Sequence, residues 1–316
     1  MNPNPILIGT RGSALALAQA GAVADRLAQA HPGRSFALQR ITTRGDRDLT
    51  RALPAIGGKG LFTAEIEDAL RGGEIQLAVH SLKDLPTELP EGLCVAAVPE
   101  REDARDALIS RAGVGLDELP KGSRVGTSSL RRRAQLLAAR PDLEVVDMRG
   151  NVDTRLGKLR AGHVDAIVLA AAGLARLGRL GEATELLAPE VMAPAVGQGA
   201  LGVEAVTGSE AAALAAAIAD ADTTACVRAE RALLAALGGG CHVPIGGHAR
   251  VDDQGRVRLT GLVAATNGAR VVRAEIEGAA ADAEALGRRL AEQLIQRGAA
   301  DILAAAAQSL EHDHGR

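Results

Sequence analysis

One cysteine, one aspartate and a series of arginines carry the chemistry this sequence can offer. Cys241 lies in Gly238-Gly239-Gly240-Cys241-His242-Val243-Pro244-Ile245-Gly246-Gly247. Five glycines and one proline in ten residues exclude a helix interior or a central strand, so the stretch is a loop. A free cysteine is ordinarily a small buried hydrophobe. On a glycine loop it is either a thiol packed under a turn or a reactive group. Cys241 and His242 are adjacent and lack the spacer of a metal-ligand pair, and adjacency alone does not make a thiol–imidazole dyad. No metal site is predicted. Asp84 falls in His80-Ser81-Leu82-Lys83-Asp84-Leu85-Pro86, just after an apolar strand pattern at 75–79. Ligands of open α/β sheets gather beyond the carboxyl ends of strands. Asp84 is there either a turn carboxylate bonding its own backbone or a lone acid/base, since no second carboxylate lies nearby in sequence.

Strand–turn–helix units must position these groups. Ile6-Leu7-Ile8-Gly9 reads as a short buried strand, Thr10-Arg11-Gly12-Ser13 as a turn, and Ala14–Ala30 as a helix that Ser13 can cap. A strand follows at 36–43. Gly57-Gly58-Lys59-Gly60 lacks the frame of a phosphate-binding loop; it is a connection or a flap carrying one cation, ahead of a helix at 61–71. After a strand at 93–98, the charged segment 100–106 marks a boundary, and a second α/β unit starts at Ala107. There Arg124-Val125-Gly126 ends a strand, Thr127-Ser128-Ser129 offers caps, and Arg131, Arg132 and Arg133 occupy the first helical turn. Cations at a helix N-terminus oppose the macrodipole, so this triplet is costly unless something anionic sits among it. The pattern recurs as strand 144–148, turn Arg149-Gly150-Asn151 and a helix with Arg155, then as strand Ala166–Ala170 leading to Arg176. Parallel sheets would bring Arg11, Arg131, Arg132, Arg149, Arg155 and Arg176 to one cleft. Such a cleft suits a ligand with several carboxylates or phosphates held by bidentate guanidinium contacts.

Beyond this, Pro194–Gly199 reads as a hinge or crossover before a strand at 201–206, and alanine-rich helices at 209–220 and 223–237 lead to the cysteine loop. Stretches 247–251, 256–264 and 270–277 alternate like an antiparallel sheet, with a final helix at 279–296 or longer, which together predict a small α+β domain. At 316 residues, two or three domains are expected. With two Phe and no Tyr or Trp, the cores must be aliphatic, and stacking platforms for nucleic-acid bases are nearly absent. A net charge of −3 leaves anion binding to local arginine clusters. Cys94, Cys226 and Cys241 are too few and too widely spaced for a disulfide framework. The first residues lack a signal-peptide pattern and no apolar run reaches the ~18 residues of a membrane span, so a cytoplasmic protein is expected.

Assembled, these stretches resemble the porphobilinogen deaminase (hydroxymethylbilane synthase) family of tetrapyrrole and heme biosynthesis. The resemblance rests on Gly9–Ser13, Gly57–Phe62, Ala78–Asp84, Gly126–Arg132, Arg149-Gly150-Asn151 with Thr154-Arg155-Leu156, Leu169–Arg176, Pro194–Gly199 and Gly239-Gly240-Cys241. It implies two α/β lobes like those of periplasmic binding proteins plus a small C-terminal α+β domain. The expected boundaries are 1–99 with 195–218, then 100–194, then 219–316. It further implies a dipyrromethane cofactor joined to Cys241 by a thioether, as primer for stepwise addition of porphobilinogen with loss of ammonia, giving hydroxymethylbilane. Asp84 would be the acid/base, stabilising cationic methylene-pyrrolenine and pyrrole nitrogens, with Lys83 and Arg11 beside it. Cofactor contacts are implied for Ser13, Ser81, Lys83, Asp84, Thr127, Ser129, Arg131, Arg132, Arg149, Asn151 and Arg155. Substrate contacts are implied for Arg11, Gln19, Lys59, Phe62, Arg149, Arg155, Arg176 and Gln198. A monomer binding neither nucleic acid nor membrane is expected. Ala104 departs from a proline common in the family, and Arg133 and His242 fall at variable positions without an assigned role. The competing reading is a two-lobe carboxylate-binding protein without catalysis, which leaves the cysteine loop and third domain unexplained. A thiol hydrolase lacks a partner set for its cysteine.

Overall fold

The computed structural model describes residues 5–47, 63–239 and 243–314; Lys59, Phe62 and Cys241 lie outside them. Two compact units are formed by Met1–Glu102 with Ala200–Thr224 and by Asp103–Gly199 with Ala225–Arg316. In chain order the first contributes β1 (Ile6–Thr10), α1 (Ala14–Ala30), β2 (Phe36–Arg40), α2 (Arg44–Arg47), α3 (Ala64–Arg71), β3 (Leu77–Ser81) and β4 (Leu93–Ala97). Next come β5 (Asp106–Ser110), β6 (Arg124–Gly126), α4 (Leu130–Ala139), β7 (Glu144–Val146), α5 (Val152–Arg160), β8 (Ala166–Ala170), α6 (Ala171–Arg176) and β9 (Glu185–Leu187). The chain returns to the first sheet as β10 (Leu201–Val206), followed by α7 (Glu210–Ala215) and α8 (Ala221–Ala236). It ends with β11 (Ile245–Val251), β12 (Arg256–Ala264), β13 (Val271–Ala279), α9 (Ala283–Leu294) and α10 (Ala300–His314).

The two larger sheets share one plan. Their orders are β2-β1-β3-β10-β4 and β7-β6-β8-β5-β9. In each, the fourth strand runs antiparallel to both neighbours, so the sheets are mixed rather than parallel. The strands that lead into the arginine-bearing segments, β6, β7 and β8, are nonetheless mutually parallel, as are β1, β2 and β3. This is an α/β architecture built on two mixed five-stranded sheets, and the antiparallel β11-β12-β13 sheet under α9 is the smaller α+β domain.

Burial explains the elements. Ala20, Val23 and Leu27 recur along α1 at helical spacing and pack on Ile8, Leu77, Val79 and Val203. In the second unit Leu108 and Val168 enter one core while Ile109 and Ile167 enter the other. Both faces of that sheet are therefore covered, as successive strand residues must alternate. The expected strand at 75–79 instead spans Leu77–Ser81. Pairing of Gly202 with His80 and Leu201 with Ser81 extends it to the polar residues. The final helix is not continuous: Gly298 takes φ 94°, and the chain re-forms α10 beyond it. That φ lies in the left-handed region that favours glycine, and a Cβ there would also displace the Arg270 guanidinium.

Candidate functional site

In the first unit an open cavity forms at the carboxyl ends of β1 and β3. Arg11, Ser13, Gln19, His80, Ser81 and Asp84 line it, together with Thr63 ahead of α3. Local chemistry places several of these groups. Ser13 caps α1, its Oγ accepting from the Ala16 N–H at 3.2 Å. Gln19, buried on α1, donates from Nε2 to Ser81 Oγ at 2.8 Å and so ties the helix to the end of β3. The 3₁₀ turn Leu82–Asp84 buries Leu82, leaving Lys83 half-buried and Asp84 exposed. An exposed carboxylate that lines the same cavity as Arg11 can take and return protons and face developing positive charge.

Beneath this cavity lie groups that the sequence alone did not single out. His80 Nε2 is 3.0 Å from Glu204 Oε2, both side chains being buried. Glu67 on α3 is buried nearby, and burial pushes its carboxyl up, the Glu204 carboxylate adding to the effect. A carboxyl whose folded pKa is raised favours folding most at low pH. Its stabilising balance is lost as pH climbs from the ordinary carboxylate range through the raised value. Glu67→Gln should therefore flatten the decline in Tm above about pH 4.5 and leave the variant the more stable protein at pH 8. Melting curves across that range check this; an unchanged slope would mean that Glu67 ionises without penalty.

The second unit gathers the other cations. Ser129 caps α4 by accepting from the Arg132 N–H, and Asn151 caps α5 by accepting from the Thr154 N–H at 2.9 Å. Thr127 Oγ1 accepts from the Ser129 N–H at 3.2 Å. Arg131 and Arg132, opposing the dipole of α4, are buried around Asp106 at the start of β5. Asp106 accepts from Arg131 Nη1 at 2.7 Å, from Arg132 Nε at 3.0 Å and Nη2 at 2.7 Å, and from Gln198 Nε2 at 3.0 Å. Burial alone would raise the Asp106 carboxyl, but the two guanidinium charges outweigh it and hold the group well below the usual carboxylate range. The anion that the arginine triplet demands is thus partly internal. Asp106 closes the charged segment read from sequence as a boundary.

One aspartate does not neutralise the region. Arg149 and Arg155 stand at the carboxyl end of β7, where Gly150 takes φ 117° and its carbonyl accepts from Arg155 Nε at 2.8 Å. Burial, then the positive charges of Arg132 and Arg149, lower Arg155 to about 10. Arg176, at the end of α6, donates from Nη2 to the Gly199 carbonyl at 2.6 Å. Guanidinium groups gathered in this way can bind carboxylates through bidentate hydrogen bonds. A dipyrromethane with acidic side chains fits this donor set. A further open cavity, lined by Pro189, His248, Arg250, Arg258 and Arg273, contains none of the sequence-predicted residues.

Comparison with known proteins agrees with this chemistry. Residues 6–213 match the family model "Porphobilinogen deaminase, dipyromethane cofactor binding domain", and residues 224–296 match "Porphobilinogen deaminase, C-terminal domain". A porphobilinogen deaminase of Roseiflexus castenholzii is 53% identical over 302 residues, covering 95% of this chain and 99% of that protein. One from Syntrophotalea carbinolica is 50% identical over 306 residues, covering 96% and 97%. Among solved structures, the Bordetella pertussis BvgS periplasmic VFT2 domain is a looser likeness. It is 14% identical with a TM-score of 0.39, covering 67% of this chain and 85% of that one. With an arginine cluster suited to an acidic cofactor and both family domains present along its length, the chain belongs to the porphobilinogen deaminase family, transferases with a dipyrromethane cofactor.

Proposed function

We propose that the Asp84 cavity is where porphobilinogen loses ammonia and is joined to the growing chain, and that the arginines hold the carboxylates of cofactor and substrate. The observation that carries this is the cluster of Arg132, Arg149 and Arg155, in which Arg155 is lowered to about 10 by burial and then by the charges of Arg132 and Arg149. Asp84 serves as the acid/base, with Arg11, Lys83, Ser13, Gln19 and Ser81 orienting the reacting rings. Arg131, Arg132, Arg149, Arg155, Arg176, Thr127, Ser129, Asn151 and Gln198 form the anion-binding wall and its supports, with Lys59 and Phe62 on the substrate side. When bound, the cofactor supplies a primer pyrrole with a nucleophilic α-carbon. Cys241 is its thioether anchor. The partition into 1–99 with 195–218, 100–194 and 219–316 assigns the acid/base to the first domain, the arginines to the second and the anchor to the third. The working protein is a cytoplasmic monomer acting on a small molecule, without nucleic acid or membrane. Among the described residues no helix is long and apolar enough to cross a membrane.

Intact mass of the purified protein and of Cys241→Ala tests the anchor. The parent should carry an excess equal to two porphobilinogen-derived units and the variant none. An excess that persists in Cys241→Ala would mean that the anchor is wrongly placed, and a parent without excess even after incubation with porphobilinogen would overturn the covalent cofactor.

A further inference from the structure

The first unit holds a buried carboxylate–imidazole pair that the roles assigned to Asp84 and the arginines leave unused. His80 is the penultimate residue of β3, one position before Ser81, and it lines the Asp84 cavity while being only 7% exposed. Its Nε2 meets Glu204 Oε2 at 3.0 Å, and Glu204 is fully buried on β10. The strand register accounts for the meeting. Glu204 pairs with Ala78, two residues from His80 on the same face, and the residue directly opposite His80 is Gly202. Diagonal neighbours across an antiparallel pair lie within reach of long side chains, and a glycine opposite the ring puts no side chain between them. The pairing of β10 with β4 shifts register between Val203 and Glu204, and such irregularities re-aim side chains near functional sites.

Burying these groups is expensive. Glu204 Oε1 is buried without a hydrogen-bond partner, and the Glu67 carboxyl is buried close enough for the two to repel. Each such group carries a desolvation penalty that an apolar core would avoid. A well-packed hydrophobic replacement commonly matches or exceeds a buried ion pair in stability, so stability does not explain the arrangement. Orientation does. A carboxylate can only accept, so it requires the proton on Nε2 and holds the ring in one tautomer and one plane. An imidazole fixed by a buried acid, in a residue that lines a cavity, is the arrangement by which proton-handling groups are aimed.

We propose that Glu204 is a positioning residue for the reaction, acting through His80 to set the ring in the floor of the Asp84 cavity. The inference rests on the assignment of that cavity as the reacting site. Each addition breaks the aminomethyl C–N bond, its electron pair leaving with ammonia. It forms a C–C bond from a pyrrole α-carbon and releases the α-proton, which ammonia takes up. Two proton movements per cycle pass through a site with one exposed carboxylate, and an oriented imidazole lining the same cavity presents a fixed polar group to the substrate.

The test uses cofactor-loaded holoenzyme with Glu204→Asp, Glu204→Gln, His80→Ala and the double variant Glu204→Asp/His80→Ala, alongside Asp84→Ala. Gln keeps an oxygen in place to accept from Nε2, whereas Asp keeps the charge but withdraws it by one methylene. Glu204→Asp should lower kcat about tenfold with KM within about twofold and cofactor content unchanged, and Glu204→Gln should lie within about threefold of the parent. On the His80→Ala background, Glu204→Asp should cost less than about twofold more, because the two groups act as one. A purely structural role would lower Tm and spare the kcat of the folded protein. Parental kcat in Glu204→Asp, or losses that multiply in the double variant, would overturn the proposal. An active Asp84→Ala enzyme would instead overturn the assignment of the cavity.

Discussion

Replacing Asp84 by alanine should abolish turnover, lowering kcat by about 10³-fold or more, while Tm moves by no more than about 2 °C. The two halves of this result have separate causes. Asp84 ends a one-turn 3₁₀ segment with its side chain in solvent, and the apolar anchors of that segment are the buried Leu82 and Leu85. Truncating an exposed carboxylate leaves those anchors untouched. The chemistry loses the one exposed carboxylate among the residues lining the cavity. Asp84→Asn should fail nearly as completely, since it keeps the shape but neither accepts a proton nor offers a full negative charge to cationic intermediates. Steady-state rates and melting curves on the same preparations decide the matter. Near-parental turnover in either variant would remove Asp84 from its assigned role.

The largest loss of stability should follow Asp106→Ala, about 3–5 kcal/mol in the second unit. Asp106 is wholly buried and receives hydrogen bonds from Arg131, Arg132 and Gln198. Without it, two buried guanidinium groups at the N-terminus of α4 face each other and the helix dipole with no counter-ion. The pH dependence has a definite sign. A carboxyl with a depressed folded pKa contributes stability that is complete above its unfolded value, near pH 4, and is lost as pH falls through the folded value. The gap between parent and variant should therefore be constant from pH 5 to 8 and close only in strong acid. Hydrogen exchange of amides in β5 and α4 reads the second unit separately, avoiding a two-state assumption for a chain of several domains. A loss below about 1 kcal/mol would mean that other groups satisfy both arginines. Cofactor loading should fall with it, because Arg132 is one of the cations acting on Arg155.

How far the sequence can be read depends on the range of the forces involved. Ser13 and Ser129 were legible as helix caps because a cap acts within three residues, and both hydroxyls accept where expected. The short strands β1, β8 and β10 were legible from apolar runs bounded by turn residues. Strand β3 was displaced by two residues because its end is set by β10, more than a hundred residues onward. The final helix expected at 279–296 or longer is present as α9, but its break at Gly298 was not legible, because a positive φ leaves no mark on helical periodicity. Arg131 and Arg132 were rightly seen to need an anion, yet nothing local identified Asp106, which reaches them through the pairing of β5 with β8.

Sequence by itself therefore determined the strand–turn–helix units, the arginines at their turns, the exposed position of Asp84 after a strand, and the family to which the chain belongs. Each depends on residues close together in the chain, or on an ordered set of such stretches. Only the tertiary structure decided that one strand of each large sheet runs against the others, that Asp106 is shared by two arginines, and that Glu204 stands behind His80. Those facts depend on burial and strand register between distant segments. Moving a group out of water makes its partner decisive, and the partner can lie anywhere in the chain.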